Sequence, residues 1–330
     1  MNSKRTFPQY AMITLKGLAM GAADVVPGVS GGTIAFITGI YEELIESINR
    51  VNLEALRTLK KDGLKAAWDY INGWFFVSLF VGIGISIASL AKGISWLLVN
   101  EPVLLWSFFF GLVFASIFFV GKQVKKWGLP PVVSFILGAV IAYWITILPA
   151  SGANSALWYI LLSGSIAICA MILPGISGSF ILVLLGSYAV VLEAIHERNL
   201  VIIAVFGVGA VVGLLSFARV LKVMFAKYHD LTIALLSGFL LGSLNKIWPW
   251  KRVDEVMVKH AGEVDEEIVN VVERTVLPSD FTTPEVLNGE VVGQVTADPQ
   301  LWMAIGLAVG GAILIFALEK FGSSSEVNPE

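Results

Sequence analysis

The chain has 330 residues, of which 56% are hydrophobic and 14% are charged, and its mean hydropathy is +0.81. A water-soluble globule of this length cannot bury so much apolar surface, so the composition excludes a soluble domain and predicts a polytopic membrane protein. The single cysteine, Cys169, excludes an internal disulfide framework, and the net charge of −3 is uninformative because the charges are segregated along the chain.

The first predicted element is a helical hairpin over residues 12–47, interrupted by the uncharged segment Pro27-Gly28-Val29-Ser30-Gly31. Each apolar stretch beside this segment has about 17 residues, which is marginal for crossing a membrane. We predict a re-entrant hairpin whose tip stops inside the membrane, where irregular backbone is tolerated only if it is buried in protein or lines a cavity. The alternative is a pair of spanning helices kinked by proline and glycine.

Six apolar segments are predicted to span the membrane, in two sets of three. The first set follows the first hairpin and covers residues 74–98, 103–120 and 131–148. A second hairpin over residues 157–193 carries the related segment Pro174-Gly175-Ile176-Ser177-Gly178. The second set follows that hairpin and covers residues 200–218, 231–244 and 301–318.

The two hairpins are copies of one another, because a single offset of 147 aligns their Pro-Gly-x-Ser-Gly segments. The chain therefore divides into two repeats, residues 1–150 and 151–330. A re-entrant hairpin crosses the membrane zero times and a spanning one twice, so each repeat makes an odd number of crossings. The second copy must then be inverted, as in many secondary transporters. The predicted fold is an all-α polytopic membrane protein with an inverted-topology repeat, each half being a re-entrant hairpin plus three transmembrane helices.

Charge orients this arrangement. Fifteen of the 22 lysines and arginines fall on the side of the N-terminus, which the positive-inside rule makes cytoplasmic. Both termini are then cytoplasmic, and a polar insertion at 251–300 is extracytoplasmic. This insertion has eleven Asp or Glu against four Lys or Arg, a net charge of −7. It is predicted to be a solvated loop or cap with some strand content and no catalytic role.

Each hairpin tip is predicted to start a half-helix whose unpaired amides and positive dipole end suit phosphate or another anion. The alternative is that the small tip residues only allow tight helix packing. The candidate phosphate-binding residues are those of the two tips and the turns after them: Gly28, Ser30, Gly31, Gly32, Thr33, Gly175, Ser177, Gly178 and Ser179.

Ionisable residues in apolar segments are further candidates, because they are costly inside a membrane. Asp24 precedes the first tip, where the second copy has Met171; it is predicted to couple transport to a proton or sodium ion, or to organise the tip by hydrogen bonding. Lys92 and Arg219 are predicted to assist phosphate binding, with snorkelling to the headgroups as the alternative. Two acidic residues that end the hairpins are assigned to coupling or gating: Glu46 and Glu193.

The remaining motifs predict no enzyme. The three histidines lack metal-ligand spacing, so neither a metal nor a cofactor is expected. There is no nucleophile elbow and no Walker loop, which disfavours hydrolysis and ATP-driven transport by this chain alone. No nucleic-acid partner is predicted, and the sequence leaves the oligomeric state open.

The two tips also resemble a known family. The segment 21–33 with Gly39-Ile40-Tyr41-Glu42 resembles the signature of the bacterial polyprenyl-phosphate (PopT-like) transporters, formerly a membrane domain of unknown function. The segments 173–179 and 185–188 resemble its second signature. The resemblance implies a flippase that recycles undecaprenyl phosphate, the lipid carrier of peptidoglycan and surface-polymer synthesis, from the outer to the inner leaflet of the bacterial cytoplasmic (inner) membrane.

Together these features predict alternating access, with the lipid tail in the bilayer and the phosphate between the tips. The coupling ion, proton or sodium, stays open. Two other functions remain as alternatives: a channel or exporter for a small anion, and a membrane enzyme that processes a lipid pyrophosphate.

Overall fold

A computed structural model describes residues 5–26, 29–259, 267–287 and 290–323. The structure is mostly helical (74%), with twelve helices and four strands in these ranges. Four helices are long and apolar enough to cross a membrane, and a bent helix pair raises this number to five. The predicted class, a helical polytopic membrane protein, is thereby confirmed, while the inverted repeat stays a prediction.

Each hairpin is built from three helices, and in both hairpins the first helix is the longest and the second is the shortest. In both copies the second helix has seven residues, too few to cross a bilayer. Gly39 and Gly186, which the repeat aligns, have φ of 74° and 65°, a conformation that favours glycine and turns the chain into the third helix. The helices are α1 Phe7–Val25, α2 Gly31–Ile37, α3 Tyr41–Arg50, α8 Leu157–Ile172, α9 Gly178–Leu184 and α10 Tyr188–His196.

Longer helices surround the hairpins. The first of these along the chain is the polar helix α4, Leu53–Tyr70, which follows α3. It is bent at Gly63, where φ is 88°. The apolar helices are α5 Gly73–Asn100, α6 Pro102–Gly121, α7 Leu129–Ile147, α11 Leu200–Ser243 and α12 Leu301–Ser323.

Helix α11 differs from the separate spans predicted at 200–218 and 231–244. It is one element of 44 residues that bends at Tyr228, where φ is −136° and ψ is 45°. The charged stretch after the first predicted span continues as helix up to Tyr228, and the break there comes just before the second predicted span begins at 231. Only the bend at Tyr228 separates the two halves.

The insertion does contain strands, arranged as two antiparallel hairpins. Strands β1 and β2 pair, as do β3 and β4. The insertion packs on the membrane helices through Trp248, whose Nε1 donates to the carbonyl oxygen of Val276 at 2.8 Å, and through Trp250, which is buried with Val103 and Ala304. The strands are β1 Lys251–Lys259, β2 Glu267–Thr275, β3 Thr282–Leu287 and β4 Glu290–Thr296.

The start of the first hairpin contacts its third helix, α3. The guanidinium of Arg5, before α1, donates to both carboxylate oxygens of Glu43 in α3, at 2.6 and 2.7 Å. The neighbouring Glu42 lies 3.4 Å from His229, beside the bend of α11. Asp230 there accepts a hydrogen bond from the amide of Lys126, just before α7. We call this side of the protein the loop face.

The start of the second hairpin contacts the end of its second helix, α9. The Ser151 amide donates to the Leu184 carbonyl oxygen, and the Tyr159 hydroxyl donates to the Leu185 carbonyl oxygen, both at 2.8 Å. Ser151 follows the C-terminal end of α7, where Thr146 accepts a hydrogen bond from Asn245 just before the insertion. We call this side the insertion face.

Close helix contacts at glycines recur in both repeats. Any side chain at Gly111 of α6 would overlap the carbonyl oxygen of Ala308 in α12. Gly238 of α11, 127 residues later, meets Phe135 of α7 in the same way. Such contacts require small residues and fix how closely the helices approach. Each of these contacts joins a helix from residues 1–150 to a helix from residues 151–330.

Candidate functional site

The two hairpin tips contact each other in the protein interior. The Ser30 hydroxyl donates to the carbonyl oxygen of Met171 at 2.9 Å, and the Gly175 amide donates to Thr33 Oγ1, also at 2.9 Å. Ser30 is 1% and Thr33 0% exposed. At Gly32 a Cβ would lie 2.6 Å from the carbonyl oxygen of Ile172, so only glycine allows this approach. The approach of the tips expected from the duplicated motif is therefore present.

At the first tip, a carboxylate of the protein itself accepts a hydrogen bond from one of the amides that were predicted to bind an anion. The Asp24 carboxylate accepts a hydrogen bond from the amide of Gly31 at 2.6 Å, and Ser30 Oγ accepts one from the amide of Gly32 at 3.1 Å. These bonds cap α2 in the way that an N-terminal acceptor caps a helix. Two amides that were candidates for phosphate binding are thus paired inside the protein. Gly28 lies outside the described residues.

The second tip carries no such carboxylate, because Met171 takes the place of Asp24. Ser177 Oγ lies 2.9 Å from Ser179 Oγ, and Gly178 is buried against the carbonyl oxygen of Ala167. Beside this tip is a cavity of about 10 Å³, enough for about one water molecule. Its lining residues are Ala142, Ile145, Thr146, Gly175, Ile176, Ser177, Phe180, Ser243 and Lys246.

Lys246 brings positive charge to this cavity. Its Nζ lies 4.6 Å from the ring centre of Phe180 and 3.8 Å from Oε2 of Glu273. Burial lowers the pKa of Lys246 to about 8, the ammonium of Lys251 acts in the same direction, and the carboxylate of Glu273 opposes them. Lys246 is therefore mostly protonated at neutral pH and places a cation over Phe180 of α9, the helix that follows the second tip. Lys246 and the hydroxyl-bearing residues Thr146, Ser177 and Ser243 line this cavity, but in this structure it is too small for a phosphate group.

Lys246 is not among the site residues that the sequence predicts. The available signal was that Lys246 follows Ser243 by three residues. An offset of 127 residues aligns Ser243 with Ser116, and the same offset aligns Lys246 with the apolar residue Phe119. A lysine just after an apolar segment is ordinarily a headgroup anchor. Only the tertiary structure, in which α9 packs beside the end of α11, shows that this lysine lines the cavity beside the second tip.

The charged residues predicted to assist do not gather at the tips. Lys92 on α5 and Arg219 on α11 are exposed and are not among the residues that line the cavity. Glu46 pairs with Arg50 at 2.7 Å and lines a separate cleft of about 220 Å³ together with Lys222. Glu193 is exposed on α10. The predicted set thus separates into a buried pair of tips and scattered surface charges.

Within the described ranges, no group of three or more His, Cys, Asp or Glu residues is placed to hold a metal ion. The polar chemistry at the tips comes from hydroxyls, backbone amides, Asp24 and Lys246.

Comparison with known proteins identifies the family. A model of undecaprenyl phosphate translocase-like proteins matches residues 20–265, a range that includes both tips and Lys246. The chain belongs to this translocase-like family. The resemblance predicted from the two signatures is thereby confirmed.

Two relatives of the translocase-like chain carry the name polyprenyl-phosphate transporter. The protein of Vibrio cholerae serotype O1 is 47% identical over 313 residues, which are 94% of this chain and 97% of the relative. The protein of Staphylococcus aureus is 29% identical over 261 residues, 74% of this chain and 88% of the relative. No solved structure matches the chain.

Proposed function

We propose that the protein transports a polyprenyl phosphate, returning undecaprenyl phosphate from the outer to the inner leaflet of the bacterial cytoplasmic membrane. Family membership and the names of two relatives support this substrate. The observation that carries the proposal is the contact of two buried tips beside the Lys246 ammonium. Polar and charged groups inside an apolar helical protein mark a pathway for a polar group.

We further propose that the two repeats are inverted and that transport proceeds by alternating access. Helix α7 starts at the loop face beside Asp230 and ends at the insertion face near Ser151, so the hairpins approach each other from opposite faces. The Gly111–Ala308 and Gly238–Phe135 contacts join the repeats reciprocally, as expected for copies related by a two-fold axis. Inverted repeats with a site at their interface are typical of secondary transporters.

In this mechanism the lipid is moved and not chemically changed. Its apolar chain stays in the bilayer, while the phosphate leaves the headgroup region and passes the tips. Lys246 partly neutralises the phosphate, and the hydroxyls of Ser177 and Ser243 replace water around it. Asp24 is the candidate for coupling to a proton or sodium ion, since it is the acidic group at the first tip.

A leaflet-resolved assay in proteoliposomes tests this function. We expect polyprenyl phosphate to cross the bilayer in the presence of the protein and to respond to an imposed proton or sodium gradient. The double variant Ser30→Ala with Ser177→Ala should lose about tenfold in rate, because it removes polar groups at both tips. Ser89→Ala is the matched control, since Ser89 is exposed and bonds only within its own helix in the described contacts.

Three results would refute the proposal. Flux of a soluble anion through vesicles that lack polyprenyl lipid would indicate a channel. Release of inorganic phosphate by the purified protein would indicate an enzyme. Equal transport by the double variant and the Ser89→Ala control would show that the tips are not part of the transport pathway.

A further inference from the structure

The acidic insertion places one carboxylate beside the second tip. Glu273, near the end of β2, has Oε2 3.3 Å from Lys251 Nζ and 3.8 Å from Lys246 Nζ. Both distances end on the same oxygen, so one carboxylate faces two ammonium groups. The Lys251 side chain is 10% exposed, and those of Glu273 and Lys246 are 23% and 26% exposed. Among the residues that the structure describes, this partly buried cluster holds two ammonium groups and one carboxylate.

The end of β2 is held over the cavity by a chain of hydrogen bonds. The Asn245 side chain donates to Thr146, which lines the cavity, and accepts from the hydroxyl of Thr275 at 3.4 Å. Trp248 bonds the backbone of Val276 next to it. The position of Glu273 therefore follows from the docking of the insertion on α7 and on the turn after α11.

Lys251 is held in place independently of Glu273. Its Nζ lies 4.4 Å from the ring centre of Trp106 in α6, a cation–π contact. Since Lys246 lies over Phe180, each ammonium has an aromatic support of its own. Both cations can keep their positions when the carboxylate between them moves away.

A phosphomonoester suits this pair of lysines better than a single carboxylate does. A phosphate ester carries a charge of about −1.5 to −2 at neutral pH and three acceptor oxygens. One carboxylate leaves a cluster of two lysines with an uncompensated positive charge, which is unfavourable for partly buried groups. The charge excess lies next to the tip cavity, because Lys246 belongs to both.

We propose that Lys246 and Lys251 form the site that first receives the phosphate of the lipid at the insertion face. Glu273 is an internal anion that holds the two ammonium groups until the phosphate displaces it. The Glu273 side chain is then a gate beside the second tip. This inference rests on the proposed function, since it takes a lipid phosphate to be the ligand.

The test measures binding by the full-length protein. The purified protein in lipid nanodiscs is titrated with farnesyl phosphate, a short polyprenyl phosphate, and with the uncharged alcohol farnesol for comparison. Calorimetry gives the affinity. Glu273→Gln should bind farnesyl phosphate about fivefold more tightly than the wild type, because the competing charge is gone.

Matched variants separate this effect from a general change in charge. Glu290→Gln removes the same charge from an exposed position of β4 and should bind like the wild type. Lys246→Gln should bind about tenfold more weakly, because it loses a charge-assisted hydrogen bond, and Lys246→Arg should restore binding. Equal unfolding temperatures for Lys246→Gln and Lys246→Arg would show that the loss does not come from misfolding.

The two proposals fail in different ways. A wild-type protein that neither binds farnesyl phosphate nor transports polyprenyl phosphate would refute the proposed function and this inference together. A wild-type protein that does both, with Glu273→Gln indistinguishable from Glu290→Gln, would refute only the gate. Unchanged binding by Lys246→Gln would refute the lysine site.

Discussion

At the scale of single residues, Asp24 has the first of the two roles predicted for it, organisation of the tip, while coupling to an ion is a proposal. Its carboxylate accepts the Gly31 amide at 2.6 Å and so organises the first tip. That role needs an acceptor oxygen but no negative charge, whereas coupling to a proton needs a group that titrates. Substitution can therefore separate the two roles.

We expect Asp24→Asn to fold well and Asp24→Ala to be destabilised by about 1–2 kcal/mol, the usual cost of losing a helix N-cap. The asparagine carbonyl oxygen can still accept from the Gly31 amide. If Asp24 also couples a proton, Asp24→Asn should transport without responding to a pH gradient. Thermal unfolding in detergent and transport in proteoliposomes measure the two effects. Equal destabilisation of both variants would contradict the capping role.

At the scale of elements, the glycine contacts explain how closely the long apolar helices approach one another. Helices in lipid associate through close packing, because lipid chains are as apolar as the side chains they replace. The contacts at Gly111 and Gly238 link α6 to α12 and α7 to α11. Each pair joins a helix from residues 1–150 to a helix from residues 151–330.

Gly111→Ala and Gly238→Ala should each lower the free energy of unfolding by about 1–3 kcal/mol, since the added methyl group would overlap a backbone carbonyl. Gly207→Ala in α11 is the matched control, because a Cβ there meets nothing within 4 Å. It should be neutral or stabilising, as alanine favours helix. Unfolding in detergent measures all three. A loss at Gly207 equal to that at Gly238 would contradict the packing argument.

At the scale of the whole molecule, the loop face and the insertion face should lie on opposite sides of the membrane. The loop face is next to α4, whose lysines and arginines belong to the larger basic group of the chain. The insertion face carries the excess of carboxylates. The positive-inside rule then places the loop face in the cytoplasm.

Single cysteines test this orientation in a Cys169→Ser background, which removes the native cysteine. Glu290→Cys should react with a membrane-impermeant maleimide in intact cells, and Lys61→Cys on α4 should react only after permeabilisation. Both positions are exposed in the structure, so access to the side chain does not limit labelling. Labelling of Lys61→Cys in intact cells, with none of Glu290→Cys, would reverse the orientation.

The amino-acid sequence by itself determined the features that depend on local composition. Apolar segments about 20 residues long indicate membrane helices, and the aligned Pro-Gly-x-Ser-Gly segments locate both hairpin tips. The sequence also marked Ser30 and Thr33 as tip residues, since the repeat and its glycines stand out in any apolar chain. The spans predicted at 200–218 and 231–244 lie on either side of the break at Tyr228 in α11.

Only the tertiary structure decided which charges meet. Asp24 lies against Gly31 because the first hairpin folds back on itself. Lys246, Lys251 and Glu273 meet because the insertion docks beside the second tip, while Lys92 and Arg219 are exposed on their helices. Contacts of this kind join segments far apart in the chain, and their geometry follows from helix packing and not from any local pattern of residues.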